Sequence, residues 1–381
     1  MSSWTLECSA CGHPEAQHAA VGLCPKCSQP FLAKFTGKAP SRDQLLPRWD
    51  MWRYAPALPL AEGEAPVSLG EGMTPLTEQP ELAAALGVRR LWIKDEGVNP
   101  TASFKARGLS AAVTRAKARG VPGLVVPTAG NAGAALAAYA AAAGMKARIY
   151  APATTPRPIL ETIQAMGVEL VTIDGHIGDC GKLSVAFAKE SGYFNVATLR
   201  EPYRAEGNKT LGLEIAEQLG WRLPDAIVYP TGGGEGVIGI WKVFQEMLEW
   251  GWLPRDVRLP KMIVAQASGC APLVRALREG ADRATAWENP TTHAAGLRVP
   301  GPLGDRLVLR AVRESDGDAE SASEEEIRDF TARLAHGTGI DAAPEGGAAL
   351  FVTQKLLQAG RLSRDSEVVV YNTGSGASYR S

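Results

Sequence analysis

No sign of charge dominates this 381-residue sequence: 40 lysines and arginines stand against 41 aspartates and glutamates, a formal net charge of −1. That balance gives no electrostatic reason to expect nucleic acid or an anionic membrane as a partner. Long apolar runs are missing too. The stretch GAALAAYAAAAGM (133–145) is the longest of its small-apolar kind, well short of the roughly 20 apolar residues a bilayer needs. The opening MSSWTLECSACG has no basic stretch followed by an apolar core, so no secretion leader is expected and a reducing, cytoplasmic location fits. Internal repeats and a low-complexity tail are also absent. What remains is ordinary for a globular protein, with 45% apolar and 21% charged residues. The length allows two core domains and a small appendage.

Six cysteines are present, and four of them make a pattern. Cys8 and Cys11 form one C-x-x-C pair, and Cys24 and Cys27 form another. In a reducing compartment two such pairs read as thiolate ligands of a tetrahedral zinc ion rather than as disulfides. The fragments CSACGH and CPKCSQ also carry a small residue after each pair, where a knuckle turn needs one. Four protein ligands leave no open coordination position, so the metal is expected to be structural. Cys180 and Cys270 stand alone and are expected in the core. His13 and His18, between the pairs, are read as surface residues.

Residues 34–80 read as a Pro-rich, irregular lead-in whose LPRWDMWRYAPALPL segment suggests an extended arm. The acidic ESDGDAESASEEE (314–326) reads as a solvated face ending in a helix capped by Ser323 with Glu326 three residues on. From about residue 90, short β-rich runs alternate with helical patterns: RLWIKDE, GLVVPTAGNAG, ARIYAPA, VELVTID, DAIVYP, KMIVAQASG and EVVVYN are the strands. Strand, small-residue loop and helix in repetition predict an open, mostly parallel α/β sheet. Ligands of such sheets bind outside the carboxyl ends of the strands.

Three loops at those ends are chemically distinctive. In PTGGGEGVIGI (230–240), glycines between a strand and a helix let N–H groups converge on an anion. The loop lacks a P-loop lysine and departs from G-x-G-x-x-G, which leaves a small phosphate monoester as its natural guest. In TAGNAG (128–133), Thr128 with the N–H groups of Ala129 and Gly130 can bind a carboxylate, while Asn131 can reach a ring oxygen. In NTGSG (372–376), the Thr373 hydroxyl can donate to a heteroaromatic nitrogen. A fourth stretch, NPTASFKARGLS (99–110), sets Lys105 after a small-residue turn, at the start of a helix and with Arg107 beside it. Burial and a neighbouring cation would suit a reactive amine that forms a Schiff base.

Taken in this order, the lysine of NPTASFKARG, TAGNAG, TGGGEG and NTGSG resemble the fold-type-II pyridoxal-phosphate enzymes. Within them the chain most resembles the threonine synthase family, which carries a similar cysteine ribbon and a segment like YRAEGNKT (203–210). The resemblance implies two open α/β domains with mostly parallel sheets plus a small N-terminal zinc ribbon. The implied boundaries are 1–35 for the ribbon, 36–120 with 200–381 for a large cofactor-binding domain, and 121–199 for a small mobile domain. It implies that Lys105 forms the Schiff base with the cofactor and later moves protons. Gly232, Gly233, Gly234 and Gly236 would cradle the cofactor phosphate, Asn131 would bond the ring hydroxyl, and Thr373 would face the pyridine nitrogen. Thr128, Ala129 and Gly130 would hold the substrate carboxylate, with Glu206, Lys209 and Thr210 nearby. Arg107, Arg204, Lys209 and Arg298 are candidate cations for a second phosphate.

The activity so implied converts O-phosphohomoserine and water to threonine and phosphate, in a homodimer. Ala106 stands where many threonine synthases have aspartate, and TGGGEG is closer to the dehydratase loop. A threonine/serine dehydratase-type ammonia-lyase and a β-replacement enzyme such as cysteate synthase therefore stay open. So does a catalytically inactive scaffold that binds partners through its ribbon, although a scaffold needs no Lys105, Asn131 and Thr373 together.

Overall fold

The computed structural model describes residues 3–16 and 21–380, so His18 lies outside the described residues. The chain divides into two compact units. The first comprises Met1–Met73, Asn99–Thr210 and Arg380–Ser381; the second comprises Thr74–Val98 and Leu211–Tyr379.

The first unit begins with a three-stranded antiparallel ribbon, in which Ser3–Cys8 is flanked by Pro14–Glu15 and Phe31–Thr36. Its main sheet has four parallel strands in the order Glu169–Ile173, Ala147–Pro152, Leu124–Pro127, Phe194–Asn195. The helices Lys105–Ala118 and Asn131–Ala143 pack into one core with the sheet. Alanine-rich faces allow this close approach. A Cβ on Gly133 would already meet Thr128 Cγ2 at 2.5 Å and Ile163 Cδ1 at 2.8 Å. The fully buried Glu71 ties the preceding loop to both helices. It accepts from Ser110 Oγ at 2.5 Å, Tyr139 Oη at 2.7 Å and Trp52 Nε1 at 2.9 Å.

The second unit is a six-stranded sheet in the order Asp318–Ala322, Lys261–Ala267, Ala226–Pro230, Glu367–Asn372, Arg90–Asp95, Leu76–Glu78. All pairs are parallel except the last, an antiparallel edge. Glu367–Asn372 has neighbours on both sides, with Val370 level with Val228 and with Ile93. Its residues 368–371 are fully buried, as a central parallel strand covered on both faces requires.

Two sequence expectations change. The acidic stretch 314–326 is not a solvated face throughout, because Asp318–Ala322 forms the edge strand. Ala319 and Ala322 turn into the core, and the nearly buried Glu320 is neutralised by Arg278 at 2.6 Å and by Lys355 and Arg361 at 3.2 Å. The capping box of Ser323 with Glu326 is present as expected. The lead-in is not an extended arm at LPRWDMWRYAPALPL either. Asp50 accepts from Trp52 N–H at 3.0 Å and starts the short helix Met51–Ala57, which buries Met51, Trp52 and Tyr54.

Candidate active site

In the first unit Lys105 opens the helix Lys105–Ala118. The turn before it, Pro100–Ala102, holds two consecutive non-glycine residues in left-handed backbone, Thr101 (φ 62°) and Ala102 (φ 55°). Such conformations cost on the order of 1–3 kcal/mol each and persist only where the surroundings impose them. Here they turn the chain sharply before Ser103 and place the lysine at the helix start. Lys105 is half-buried, with Nζ 4.2 Å from the centroid of the Phe104 ring.

The loop 128–133 follows the strand Leu124–Pro127 and leads into Asn131–Ala143. Thr128 is buried, and its hydroxyl organises the loop by accepting from Gly130 N–H and Gly133 N–H at 3.0 Å and donating to Gly130 O at 2.7 Å. A carboxylate bound here would compete with Thr128 for the Gly130 N–H. Ala129 and Gly130 are half-buried. Asn131 has a buried Oδ1 without a hydrogen-bond partner. Leaving a buried polar atom unpaired costs about 1–3 kcal/mol.

Three of the four additional cations named from sequence are internal. Arg107 is fully buried and donates to Thr210 Oγ1 at 3.0 Å. Arg204 is buried and donates to Val196 O at 2.8 Å. Lys209 is fully buried, paired with Glu206 at 2.8 Å and donating to Ala57 O at 3.0 Å. These side chains brace the first unit from within. Arg298, in the second unit, is half-buried.

In the second unit the glycine loop joins the strand Ala226–Pro230 to the helix Glu235–Glu249. Three of its glycines leave no room for a side chain. A Cβ would come within 2.1 Å of Gly296 O at Gly232, 2.3 Å of Val308 Cγ2 at Gly234, and 2.2 Å of Tyr229 Oη at Gly236. Gly234 is also left-handed (φ 88°) and caps the helix without a side-chain hydrogen bond. The first N–H groups of that helix thus have no side-chain cap at the place where an anion binds best. Gly233 alone among the four is half-exposed.

Thr373, 6% exposed, directly follows Glu367–Asn372. Its neighbour Asn372 fixes this strand end. Asn372 Nδ2 donates to Asp95 Oδ1 at 2.8 Å, and Oδ1 accepts from Ala343 N–H at 3.2 Å. Sequence reasoning passed over Asn372, although it heads the NTGSG motif. It also passed over Gly296, which carries no motif at all.

In the ribbon the four cysteine sulfurs lie within 4.8 Å of one another. Cys8 to Cys27 is 3.3 Å, Cys11 to Cys24 is 3.6 Å and Cys11 to Cys27 is 3.5 Å. A tetrahedron with metal–sulfur bonds of about 2.3 Å has edges of about 3.8 Å, so the donor set fits zinc. Two matching knuckles build it: Gly12 N–H donates to Cys8 O at 3.1 Å, and Ser28 N–H to Cys24 O at 2.8 Å. Gly12 (φ 68°) and Ser28 (φ 57°) are both left-handed, which is why a small residue follows each pair. Cys180 and Cys270 are buried, and burial raises both thiols to about 11. His13 is half-buried.

Comparison with known proteins decides the family. The family model described as "Pyridoxal-phosphate dependent enzyme" matches residues 67–374, most of the chain. The protein belongs to this family.

A threonine synthase of Methanosarcina acetivorans is 34% identical over 97% of this chain and 91% of its own. A threonine synthase of Methanocaldococcus jannaschii is 36% identical over 86% of this chain and 80% of its own. Among solved structures, maize serine racemase superposes with a TM-score of 0.69 at 22% identity, covering 80% of this chain and 88% of the other, a likeness of fold. As a pyridoxal-phosphate-dependent enzyme, the chain has residues that fit the cofactor. Taken unit by unit, the chemistry suits such a group: the first unit offers the Lys105 amine and the orphaned Asn131 Oδ1, and the second an uncapped helix start behind a glycine loop.

Proposed function

We propose that this protein is a threonine synthase, a lyase that converts O-phosphohomoserine and water to threonine and phosphate. The observation that carries the reading is the likeness to the Methanosarcina threonine synthase, which extends over nearly the whole chain, ribbon included. When bound, pyridoxal phosphate supplies an electron sink that acidifies the Cα–H of an attached amino acid.

This chain's residues do the rest. In the first unit Lys105 Nζ would hold the cofactor and, when its amine is free, would take the Cα proton and return protons along the carbon chain. Asn131 bonds the ring hydroxyl through its orphaned oxygen. Thr128, Ala129 and Gly130 orient the substrate carboxylate. In the second unit Gly232, Gly233, Gly234 and Gly236, with the helix start behind them, hold the cofactor phosphate through N–H groups. Thr373 donates its hydroxyl to the ring nitrogen without delivering a full proton. That leaves a weaker sink than a carboxylate partner would, suited to elimination and replacement at Cβ and Cγ. Loss of Cα and Cβ protons, departure of phosphate from Cγ, protonation at Cγ and addition of water at Cβ complete the balance.

Cys8, Cys11, Cys24 and Cys27 hold one structural zinc ion. A cluster of four thiols that can hold a metal, with Cys180 and Cys270 buried apart, supports a reducing, cytoplasmic setting. Among the described residues no helix is long and apolar enough to cross a membrane. The substrate is a small amino acid, with no nucleic acid or membrane partner. The chain acts as a homodimer, a reading supported by the outward Trp49, 81% exposed, and the exposed Leu46 and Leu69. Residues 121–199 are the part that moves on substrate binding.

The test is to incubate the purified protein separately with O-phosphohomoserine, threonine, serine and phosphoserine. Phosphate and threonine from the first substrate alone support the reading. Ammonia and a keto acid from threonine or serine would make it a dehydratase instead.

A further inference from the structure

The second unit buries an acid that the reaction above does not use. Glu345 lies in the first turn of the helix Pro344–Gln358 and is 4% exposed. Its Oε1 accepts from Gly296 N–H and from the Tyr379 hydroxyl, both at 2.7 Å. Its Oε2 is buried without a hydrogen-bond partner. Among the described residues, the side chain is hydrogen-bonded to Gly296 and Tyr379 and to no lysine or arginine.

Its position joins the two loops assigned to the cofactor in this unit. On one side is Gly296. A Cβ on Gly232 would stand 2.1 Å from Gly296 O, and one on Gly296 would stand 2.7 Å from Glu345 Oε1. Gly296 is itself exposed between buried Ala295 and Leu297, so the carboxyl group lies one residue beneath open surface beside the glycine loop. On the other side, Ala343 N–H donates to Gly374 O at 3.0 Å, and a Cβ on Gly346 would stand 2.7 Å from Asn372 Oδ1. Thr373 lies between those two partners.

The titratable groups on the elements packed around Glu345 are of both signs, and Arg298 and Arg380 follow closely on the segments that carry Gly296 and Tyr379. Tyr379 comes from the C-terminal turn and His293 from the segment before Gly296; His293 is bonded to Glu324. Asp341 precedes the helix and accepts from Ser375 Oγ at 3.1 Å and Ala377 N–H at 3.0 Å. Asp95 closes its strand against Asn372. Burial pushes the carboxyl groups of both Glu345 and Asp95 above the usual carboxylate range. A phosphate dianion in the adjacent loop adds negative charge where backbone N–H groups are the only donors assigned to it.

We propose that Glu345, beside the cofactor site of this unit, stands protonated once the pyridoxal phosphate dianion is bound, and that at a pH where the cofactor-free protein has it ionised, binding draws a proton onto it. The inference rests on reading the glycine loop as the phosphate cradle. No bond is made or broken; one proton passes from solvent to Glu345 Oε2. The sign follows from linkage. Below the range where free Glu345 ionises, nothing is taken up. Above it, affinity falls as pH rises, approaching about tenfold per pH unit until the bound form also ionises.

The test uses the full-length protein freed of cofactor, with pyridoxine 5′-phosphate as probe. That compound has the ring and phosphate but no aldehyde, so Lys105 chemistry contributes no proton. Calorimetry in buffers of different ionisation enthalpy counts the protons taken up, and the dissociation constant is followed from neutral to alkaline pH. Wild type should take up as much as one proton more than Glu345→Gln, whose affinity should be flatter with pH and tighter than wild type at the alkaline end. Equal proton counts and parallel pH profiles would overturn the inference and leave the cofactor reading standing. Absence of binding to wild type, for this probe and for pyridoxal phosphate, would overturn both. Should Glu345→Gln not fold, the wild-type infrared difference spectrum decides. A protonated-carboxyl band that grows on binding and shifts in Tyr379→Phe is expected, and no such band contradicts the proposal.

Discussion

Replacing Gly232 by alanine tests the phosphate cradle through a single methyl group. The added Cβ would stand 2.1 Å from Gly296 O and 2.9 Å from Val299 Cγ2, where ordinary contact begins at 3.4 Å. The backbone must therefore open by about 1.3 Å. Gly296 is poorly placed to yield, since its N–H is held by Glu345 and the space at its own Cα is filled by the same carboxyl group. Overpacking of this kind costs about 1–3 kcal/mol. In a domain of this size each kcal/mol lowers the melting temperature by about 2–4 °C, so a fall of about 2–12 °C is expected. The cofactor should feel the shift more. A hydrogen bond to a charged group contributes about 1.5–3 kcal/mol. Losing one would raise the dissociation constant by about 10- to 150-fold. Absorbance titration with pyridoxal phosphate, beside thermal melts of the cofactor-free protein, measures both. A Gly232→Ala protein with wild-type affinity would refute the placement of the phosphate, whatever its melting temperature.

Lys105→Ala should abolish the covalent cofactor linkage and turnover while leaving the far-ultraviolet circular dichroism unchanged, because the helix start tolerates alanine; retained visible absorbance and activity would remove the central lysine from the account. Metal analysis of protein purified under reducing conditions should find one zinc per chain, and a chelator should expose the N-terminal forty residues to protease without bleaching the cofactor; a metal-free ribbon contradicts the four-thiolate site. Thr373→Val should lower cofactor affinity by about one to two orders of magnitude, since an unpaired buried acceptor costs about 1–3 kcal/mol. Thr373→Asp should instead favour a protonated ring and raise transamination side products. If both variants match wild type, Thr373 does not face the ring nitrogen.

The sequence was most informative where local chemistry decides the backbone. EVVVYN reads as a strand because of its apolar run VVVY, and in the structure Glu367–Asn372 is buried along its whole length. Gly12 and Ser28 mark the cysteine knuckles because each must turn left-handed. Ser323 and Glu326 cap their helix within four residues of chain. Features set by distant residues were not legible. The acidic edge strand Asp318–Ala322 exists because Arg278, Lys355 and Arg361 neutralise Glu320 from other elements. Arg107 and Lys209 looked like candidate ligands for a second phosphate, yet their partners Thr210, Glu206 and Ala57 hold them inside the first unit. Glu345 stands in an unremarkable APEGGA. Only the approach of Gly296 and Asn372 makes it a neighbour of the glycine loop and the last strand end.

The central claim is elimination of phosphate followed by addition of water at Cβ, and oxygen labelling tests it directly. The holoenzyme is incubated with O-phosphohomoserine in water enriched in oxygen-18, and both products are weighed by mass spectrometry. Cleavage of the Cγ–O bond leaves phosphate with its original oxygens and puts the solvent oxygen into the threonine hydroxyl. Labelled threonine with unlabelled phosphate is the predicted result. Labelled phosphate with homoserine would show attack at phosphorus instead, and the account would fail.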